Sequence, residues 1–322
     1  MQKPIFTAVT TAHLAEICGV SQGTVDRALH NRPGINPHTR ERVLAAAERY
    51  GYVPNIHAQA LSGGRSMLLG LVIPDLNNDY FSRLVMELEQ LCRAAGYASV
   101  LMLSHKKTET EIDCLKRLAQ IGVDGIVLCP MGQGADYISF LRTLHAPVIA
   151  VGNRLPGVAF AGINDFAAMQ TLTARLIERG YTELYYYAPV LTRQNTVNTD
   201  AQIQRFAGFT AAATNAAVTT ALLDDHILRQ TLTSSVPEHQ RTVIICPSDV
   251  YALYVRSVLA ELHRTDIGLC GFDDIRLLTQ CGIPLSSVGV DDHAVAQAAV
   301  DFILHGTVPH EISFYIAERG SF

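Results

Sequence analysis

Residues Gly19–Ile35, GVSQGTVDRALHNRPGI, decide how the first part of the chain folds. A turn of small residues, Gly19-Val20-Ser21, opens a short helix in which only Val25, Ala28 and Leu29 are apolar and inward-facing. Ser21, Gln22, Thr24 and Arg27 are polar and crowd the same short stretch. A plain three-helix bundle accounts for the apolar positions but not for this polar cluster, which reads as a surface that meets something outside the protein. Upstream, TTAHLAEICG offers Thr10 or Thr11 as N-cap, Leu14, Ile17 and Cys18 at helical spacing, and Gly19 as a stop. Downstream, NPHTRERVLAAAERYGY opens on Asn36-Pro37 and closes on Gly51. These three helices predict an all-α helix-turn-helix headpiece over 1–53. NIHAQALSGGRS follows as a linker with a short helix-compatible piece, over 54–65.

From Met67 the pattern changes. MLLGLVIP, YASVLML, DGIVLCP and PVIAVG are apolar runs of strand length that alternate with amphipathic stretches, and the alternation restarts after residue 161. Fully apolar strands between helices predict parallel β-α-β units, hence an α/β core of two Rossmann-like lobes over 66–322. The first lobe is expected at about 66–162 with a share of 292–322, the second at about 163–291. Two such lobes imply a cleft, where a small ligand binds.

Composition narrows the class. With 48% hydrophobic and 17% charged residues, the chain reads as an ordinary globular protein. Its net charge of −5 is uneven: residues 1–62 hold six Lys/Arg against four acids, and the remainder 19 against 26. A basic end on an acidic body favours one polyanion-facing terminus. The seven cysteines are scattered without a C-x-x-C pair and read as buried free thiols. No signal-peptide pattern opens the chain and no apolar run is long enough for a membrane span, so a cytoplasmic protein is expected.

Enzyme chemistry finds no constellation. MGQGADY offers Gly132 and Gly134, but Tyr137 breaks the dinucleotide fingerprint, and no Walker A, G-x-S-x-G or H-E-x-x-H sequence occurs. The twelve histidines lack ligand spacing. No catalytic residue, metal site or cofactor is expected. The pairs Asp224-Asp225 and Asp291-Asp292 read as helix caps.

Nucleic-acid chemistry fits the opening stretch. Gln22 can pair bidentately with adenine, and Arg27, further along the helix, with guanine or a phosphate. Gly23, with no side chain, either permits close backbone approach or leaves a base unread. Thr10, Ser21, Thr24 and Asn36 are candidate phosphate donors that set register without reading sequence.

The run from Thr11 to Leu61 resembles the headpiece of the LacI/GalR (lactose-repressor) family of bacterial transcription regulators, densely in GVS..TV.R.L and in T.ERV..AA...GY.PN..A..L. The rest resembles that family's periplasmic-binding-protein-like core. The resemblance implies a homodimer that binds a pseudo-palindromic operator, most readily as a repressor, with a small sugar-like effector in the cleft. It places Gln22 and Gly23 at the variable base-reading pair and Arg27 at the arginine that follows TVS in most members. Asp26 stands where those members carry Ser, His30 where Asn is usual, and His13 where an acid is usual. Asn55, Ala58 and Leu61 match a hinge helix, with Leu61 as the minor-groove wedge. In the cleft the resemblance assigns Tyr80, Phe81, Arg205, Ser248 and Asp273 to the effector, with Asn153 and Arg154 as weaker candidates. Ser248 replaces an Asn common in the family. ISFYIAERGSF ends the chain without heptads, so a dimer is expected rather than a tetramer. The alternative is a solute-binding protein of a sugar transport system, which shares the bilobal body but needs neither headpiece nor operator.

Overall fold

The computed structural model describes residues 9–53, 64–192, 197–214, 216–234 and 241–322. The chain divides into two compact units, Met1–Ser66 and Met67–Phe322. The hinge candidates Asn55, Ala58 and Leu61 lie outside the described residues.

In the first unit, α1 (Thr11–Cys18), α2 (Gln22–Leu29) and α3 (Pro37–Arg49) each begin behind a capping residue. Thr10, Ser21 and Asn36 accept the main-chain N–H groups of His13, Thr24 and His38, which would otherwise be orphaned at a helix start. His13 completes the first cap by accepting the Thr10 N–H on Nδ1 at 3.3 Å, a task that Glu or Gln performs in a capping box. Gly19 leaves α1 at φ 59, which turns the chain sharply toward Ser21. Leu14, Val25 and Val43, one from each helix, are fully buried among small alanines. Val25 and Ala28 thus commit one face of α2 to the core and leave the other unburied.

The second unit contains two sheets, one wholly parallel and one parallel except at an edge strand. The first is built from β1 (Leu68–Ile73), α4 (Asp79–Ala94), β2 (Ala98–Leu103), α5 (Thr108–Ile121), β3 (Gly125–Leu128), α6 (Ala135–Arg142), β4 (Val148–Val151) and β5 (Ala159–Ala161). Its strand order is β2-β1-β3-β4-β5. Central β1 is buried along its whole length, as its unbroken apolar run requires, whereas edge β2 is half-buried. Strand β5, only three residues long, carries no pattern that sequence reading can detect.

The second sheet grows from α7 (Asp165–Glu178), β6 (Glu183–Tyr187), α8 (Pro189–Thr192), α9 (Asp200–Ala213), β7 (Thr219–Leu223), α10 (Leu228–Ser234) and β8 (Thr242–Ile245). It continues through α11 (Asp249–Glu261), β9 (Gly268–Phe272), α12 (Arg276–Gln280), β10 (Ser286–Val290), α13 (Asp292–His305) and β11 (Phe314–Ala317). The order is β11-β10-β9-β8-β6-β7, with β11 antiparallel to β10. The C-terminal segment serves both lobes: α13 packs on α4 and on β3 to β5, while β11 joins the second sheet.

Helices α7 and α9 approach so closely that a Cβ on Gly208 would lie 2.2 Å from the Phe166 carbonyl oxygen. A main-chain atom cannot step aside like a side-chain tip. Gly208→Ala is therefore expected to destabilise the protein by at least about 1–3 kcal/mol, the usual range for overpacking. A urea midpoint equal to that of the parent protein would show that the helices separate without cost.

Two readings of the sequence need correction. Asp224 and Asp291 do cap, accepting N–H groups from His226 and Ile227, and from Ala294. Their neighbours do not: Asp225 accepts the Tyr187 hydroxyl, and Asp292 pairs with Arg83 Nε at 2.7 Å. All seven cysteines are free, but only six are buried, since Cys281 is exposed.

Candidate functional site

Helix α2 presents Gln22, Gly23 and Arg27 outward, all three exposed. Gly23 and Arg27 are four residues apart and so share a face. Ser21 Oγ and Thr24 Oγ1 lie 2.9 Å apart at the helix start, so the two hydroxyls hold each other beside the first turn. Asp26 does not engage Arg27. It pairs with Arg32 at 3.0 Å and faces His30 Nδ1 at 3.0 Å, so the carboxylate braces the far end of α2 and leaves Arg27 outside that network. Among the described residues Arg27 makes no ion pair. His30 closes the C-terminus of α2, its ring also 3.0 Å from the Asp26 carbonyl.

In the second unit the C-terminal ends of the strands converge on one cavity of about 440 Å³. Asp75 follows β1, Met131 follows β3, and Asn153 follows β4; from the other lobe Ser248 follows β8 and Asp273 follows β9. Loops at the carboxyl ends of parallel strands are where such sheets gather ligand contacts. Of the seven residues assigned to a ligand from sequence, Tyr80, Phe81, Asn153, Arg205, Ser248 and Asp273 line this cavity. Arg154 does not. Its guanidinium stacks over Phe160 at 3.9 Å and donates to the Ile163 carbonyl, so it braces the wall from behind.

Several of the six have structural work as well. Asn153 donates to the carbonyls of Pro130 and Asn198 and accepts the Ala201 N–H, which ties the two lobes together beside the cavity. Ser248 caps α11 by accepting the Tyr251 N–H, which leaves its hydroxyl hydrogen to donate elsewhere. Asp273 sits at φ 101, a conformation that few residues other than Gly, Asn and Asp adopt, because the chain must turn sharply out of β9. Arg83, from the opposite lobe, donates to the Asp273 and Asp274 carbonyls at 2.8 and 2.6 Å and stabilises that turn.

Asp165 is the principal residue that sequence reading missed. In GINDFAAM it resembles an ordinary acid in the first turn of a helix, yet it is buried and bonds Arg205 Nε at 2.7 Å. Arg205 is further held by the Pro247 carbonyl at 2.5 Å, by Asp273 at 3.5 Å and by the face of Phe272 at 3.5 Å. Burial opposes the charge on Arg205, but the two carboxylates outweigh it and raise its pKa. Burial pushes Asp273 up to about 6 even though Arg205 pulls it down. Asp75 moves the opposite way: burial is outweighed by Lys106 at 2.9 Å and by the Asn77 N–H, and its pKa is lowered.

Comparison with known proteins matches both units. The family model “Bacterial regulatory proteins, lacI family” matches residues 12–55, and “Periplasmic binding proteins and sugar binding domain of LacI family” matches residues 66–264. The chain belongs to the LacI family. Among curated LacI-family relatives, the HTH-type transcriptional regulator MalR of Streptomyces coelicolor is 29% identical over 339 residues, covering 97% of this chain and 96% of that protein. Catabolite control protein A of Priestia megaterium is 25% identical, with 87% of each chain covered. The fold is that of the lac repressor dimer bound to operator and the anti-inducer ONPF, with a TM-score of 0.85 at 20% identity over 98% of this chain and 99% of that one. The CelR–cellobiose complex shares it at a TM-score of 0.65 and 22% identity, over 98% and 100% of the two chains. This LacI-family chain is a transcriptional regulator with a helix-turn-helix domain, and the transport reading falls away. No helix among the described residues is long and apolar enough to cross a membrane.

Proposed function

We propose that the protein is a cytoplasmic homodimeric repressor that binds a pseudo-palindromic operator through α2 and releases or grips it according to a small polar effector in the cleft. The observation that carries the reading is the pairing, in one chain, of an exposed polar helix behind a tight turn with a cavity at the strand ends of a bilobal body. Gln22 and Arg27 read bases, while Thr10, Ser21, Gly23, Thr24 and Asn36 set the distance to the backbone. Asn55, Ala58 and Leu61 provide the hinge and its wedge. Tyr80, Phe81, Arg205, Ser248 and Asp273 hold the effector, with Asn153 tying the loops around it. Effector and operator are then linked by a coupling free energy, typically about 1–3 kcal/mol.

The test uses the full chain and a duplex selected from a random pool, followed by fluorescence anisotropy across a salt series. Arg27→Ala is expected to weaken binding by about 1–3 kcal/mol if the contact is to guanine. If the contact is to phosphate, the salt slope falls by about one instead. Affinity and slope both unchanged would take α2 out of the interface.

A further inference from the structure

The first turns of α4 reach across to the other lobe. Asp79 accepts Arg276 Nε at 2.9 Å and Nη2 at 2.6 Å on Oδ1, and the Arg276 main-chain N–H at 2.9 Å on Oδ2. That N–H opens α12, which begins behind Ile275 and so has no side-chain cap of its own. One turn further along α4, the Arg83 guanidinium forks onto the Asp273 and Asp274 carbonyls and pairs its Nε with Asp292 at 2.7 Å. Asn78 Nδ2 adds a bond of 3.4 Å to Asp273 Oδ2. The segment held in this way is strained, since Asp274 follows Asp273 into the left-handed region at φ 47 after φ 101. From its own lobe Asp274 receives Arg319 at 2.6 Å and the Tyr315 hydroxyl at 2.9 Å, and its N–H meets the Ser287 hydroxyl at 3.0 Å.

We propose that Asp79, Arg83 and Arg276 are positioning residues that latch the two lobes together and set Asp273 for the ligand, although none of the three lines the cavity. The proposal rests on reading the cleft as the effector site and names what holds that site in shape. Separating the lobes withdraws the Arg83 fork, the Asn78 amide and the α12 cap together. Two left-handed residues then lose the contacts that offset their strain, and nothing from the first lobe keeps Asp273 in its cleft conformation. Closing the lobes and presenting Asp273 are thus one event. Exposure divides the work between the two pairs. The side chains of Arg83 and Asp292 are only 15% and 13% exposed, so the fork acts in poorly hydrated surroundings, where charge-assisted bonds are strong. Arg276 is 45% exposed, so its pair with Asp79 is individually weak and can release.

Hydrogen exchange of the full chain, with neither ligand nor operator added, tests the latch, because an amide bonded between the lobes exchanges when they part. The reporters are the Asn198 N–H, on the Met131 carbonyl at 2.7 Å, and the Ala201 N–H, on Asn153 at 3.1 Å. Both bonds join the lobes through residues outside the latch. Asp79→Ala and Arg276→Ala are each expected to speed exchange at both reporters about fivefold, the most that an exposed ion pair usually contributes. The double variant is expected to exchange no faster than Asp79→Ala alone, since one interaction cannot be lost twice. Arg83→Lys keeps a charge for Asp292 but cannot fork, and it is expected to speed the same two amides. Unchanged exchange at Asn198 and Ala201 would overturn the proposal, because the three residues would then brace α12 locally. A rise shared equally by the central amides of β1 and β8 would overturn it too, since that marks lost overall stability rather than parting lobes. Operator binding by the parent protein reports separately: its absence would sink the repressor reading and leave the latch standing.

Discussion

Arg205→Ala is expected to destabilise the second unit by about 3–5 kcal/mol, the cost of stripping one partner from a buried ion pair. The guanidinium neutralises Asp165 and Asp273, both nearly inaccessible, and no other cation among the described residues is paired with Asp165. Removing it leaves two carboxylates to be discharged by protonation or hydrated by local opening. Both routes cost free energy, and the loss of the stack on Phe272 adds to it. Asp165→Asn in the Arg205→Ala background is expected to recover a substantial part, because an amide at that position needs no countercharge. Urea midpoints of the parent, the two single variants and the double variant form the cycle that isolates this interaction. Additive effects would show that the pair carries no coupling and that Arg205 stabilises by packing alone.

The second large effect belongs to Asp249, fully buried at the start of α11. Its Oδ2 accepts the Ile275 N–H at 2.9 Å, and its Oδ1 lies 2.7 Å from the Ser287 hydroxyl. Oδ1 fills the space that a side chain on Gly271 would need, since a Cβ there would lie 1.9 Å from it. Burial first, and then the nearby Asp273, pushes the Asp249 carboxyl up to about 8. In the unfolded chain it returns to about 3.9. Between those values the native state keeps a proton that the unfolded state has released, so stability falls as pH rises, by about 1.4 kcal/mol per unit. Over the whole window this amounts to something on the order of 5 kcal/mol. Asp249→Asn retains an acceptor for Ile275 and turns a donor toward Ser287, whose own hydrogen can reach the Val288 carbonyl at 3.4 Å. The variant is expected to be more stable than the parent, with a midpoint gap that widens from pH 5 to pH 8. Comparing the two proteins cancels the opposite slope contributed by Asp75 and Asp79, whose pKa values are lowered by their cationic partners. A gap that stays constant across that range would show that Asp249 is ionised throughout.

Much of the headpiece was legible because its signals are local. A capping residue, a stop glycine and an apolar residue every third or fourth position lie within one turn of what they control, and Thr10, Ser21, Asn36 and Gly19 act where their spacing places them. The apolar strands were legible for a related reason, because a strand covered on both faces has no polar positions to hide. Short, half-buried β5 lacked that signature.

Local signals also reach a limit. Nothing in HLAEI announces that an imidazole takes the part of a capping glutamate, and nothing in TVDRALHNR tells Asp26 to pass over adjacent Arg27 for Arg32. Arg154 carried the same chemistry in the sequence as Arg205, yet only Arg205 reaches the cavity.

By itself, then, the sequence determined the helix-turn-helix, the two α/β lobes, the family and six of the residues that meet in the cleft. Only the tertiary structure decided which charges are spent on one another. Asp165 and Arg205 are 40 residues apart, Arg83 and Asp273 190, and Asn78 and Asp273 195. Pairing across such separations depends on where whole helices and strand ends come to rest, and in a buried site those pairings, rather than the count of Asp and Arg, set the charge that a ligand meets.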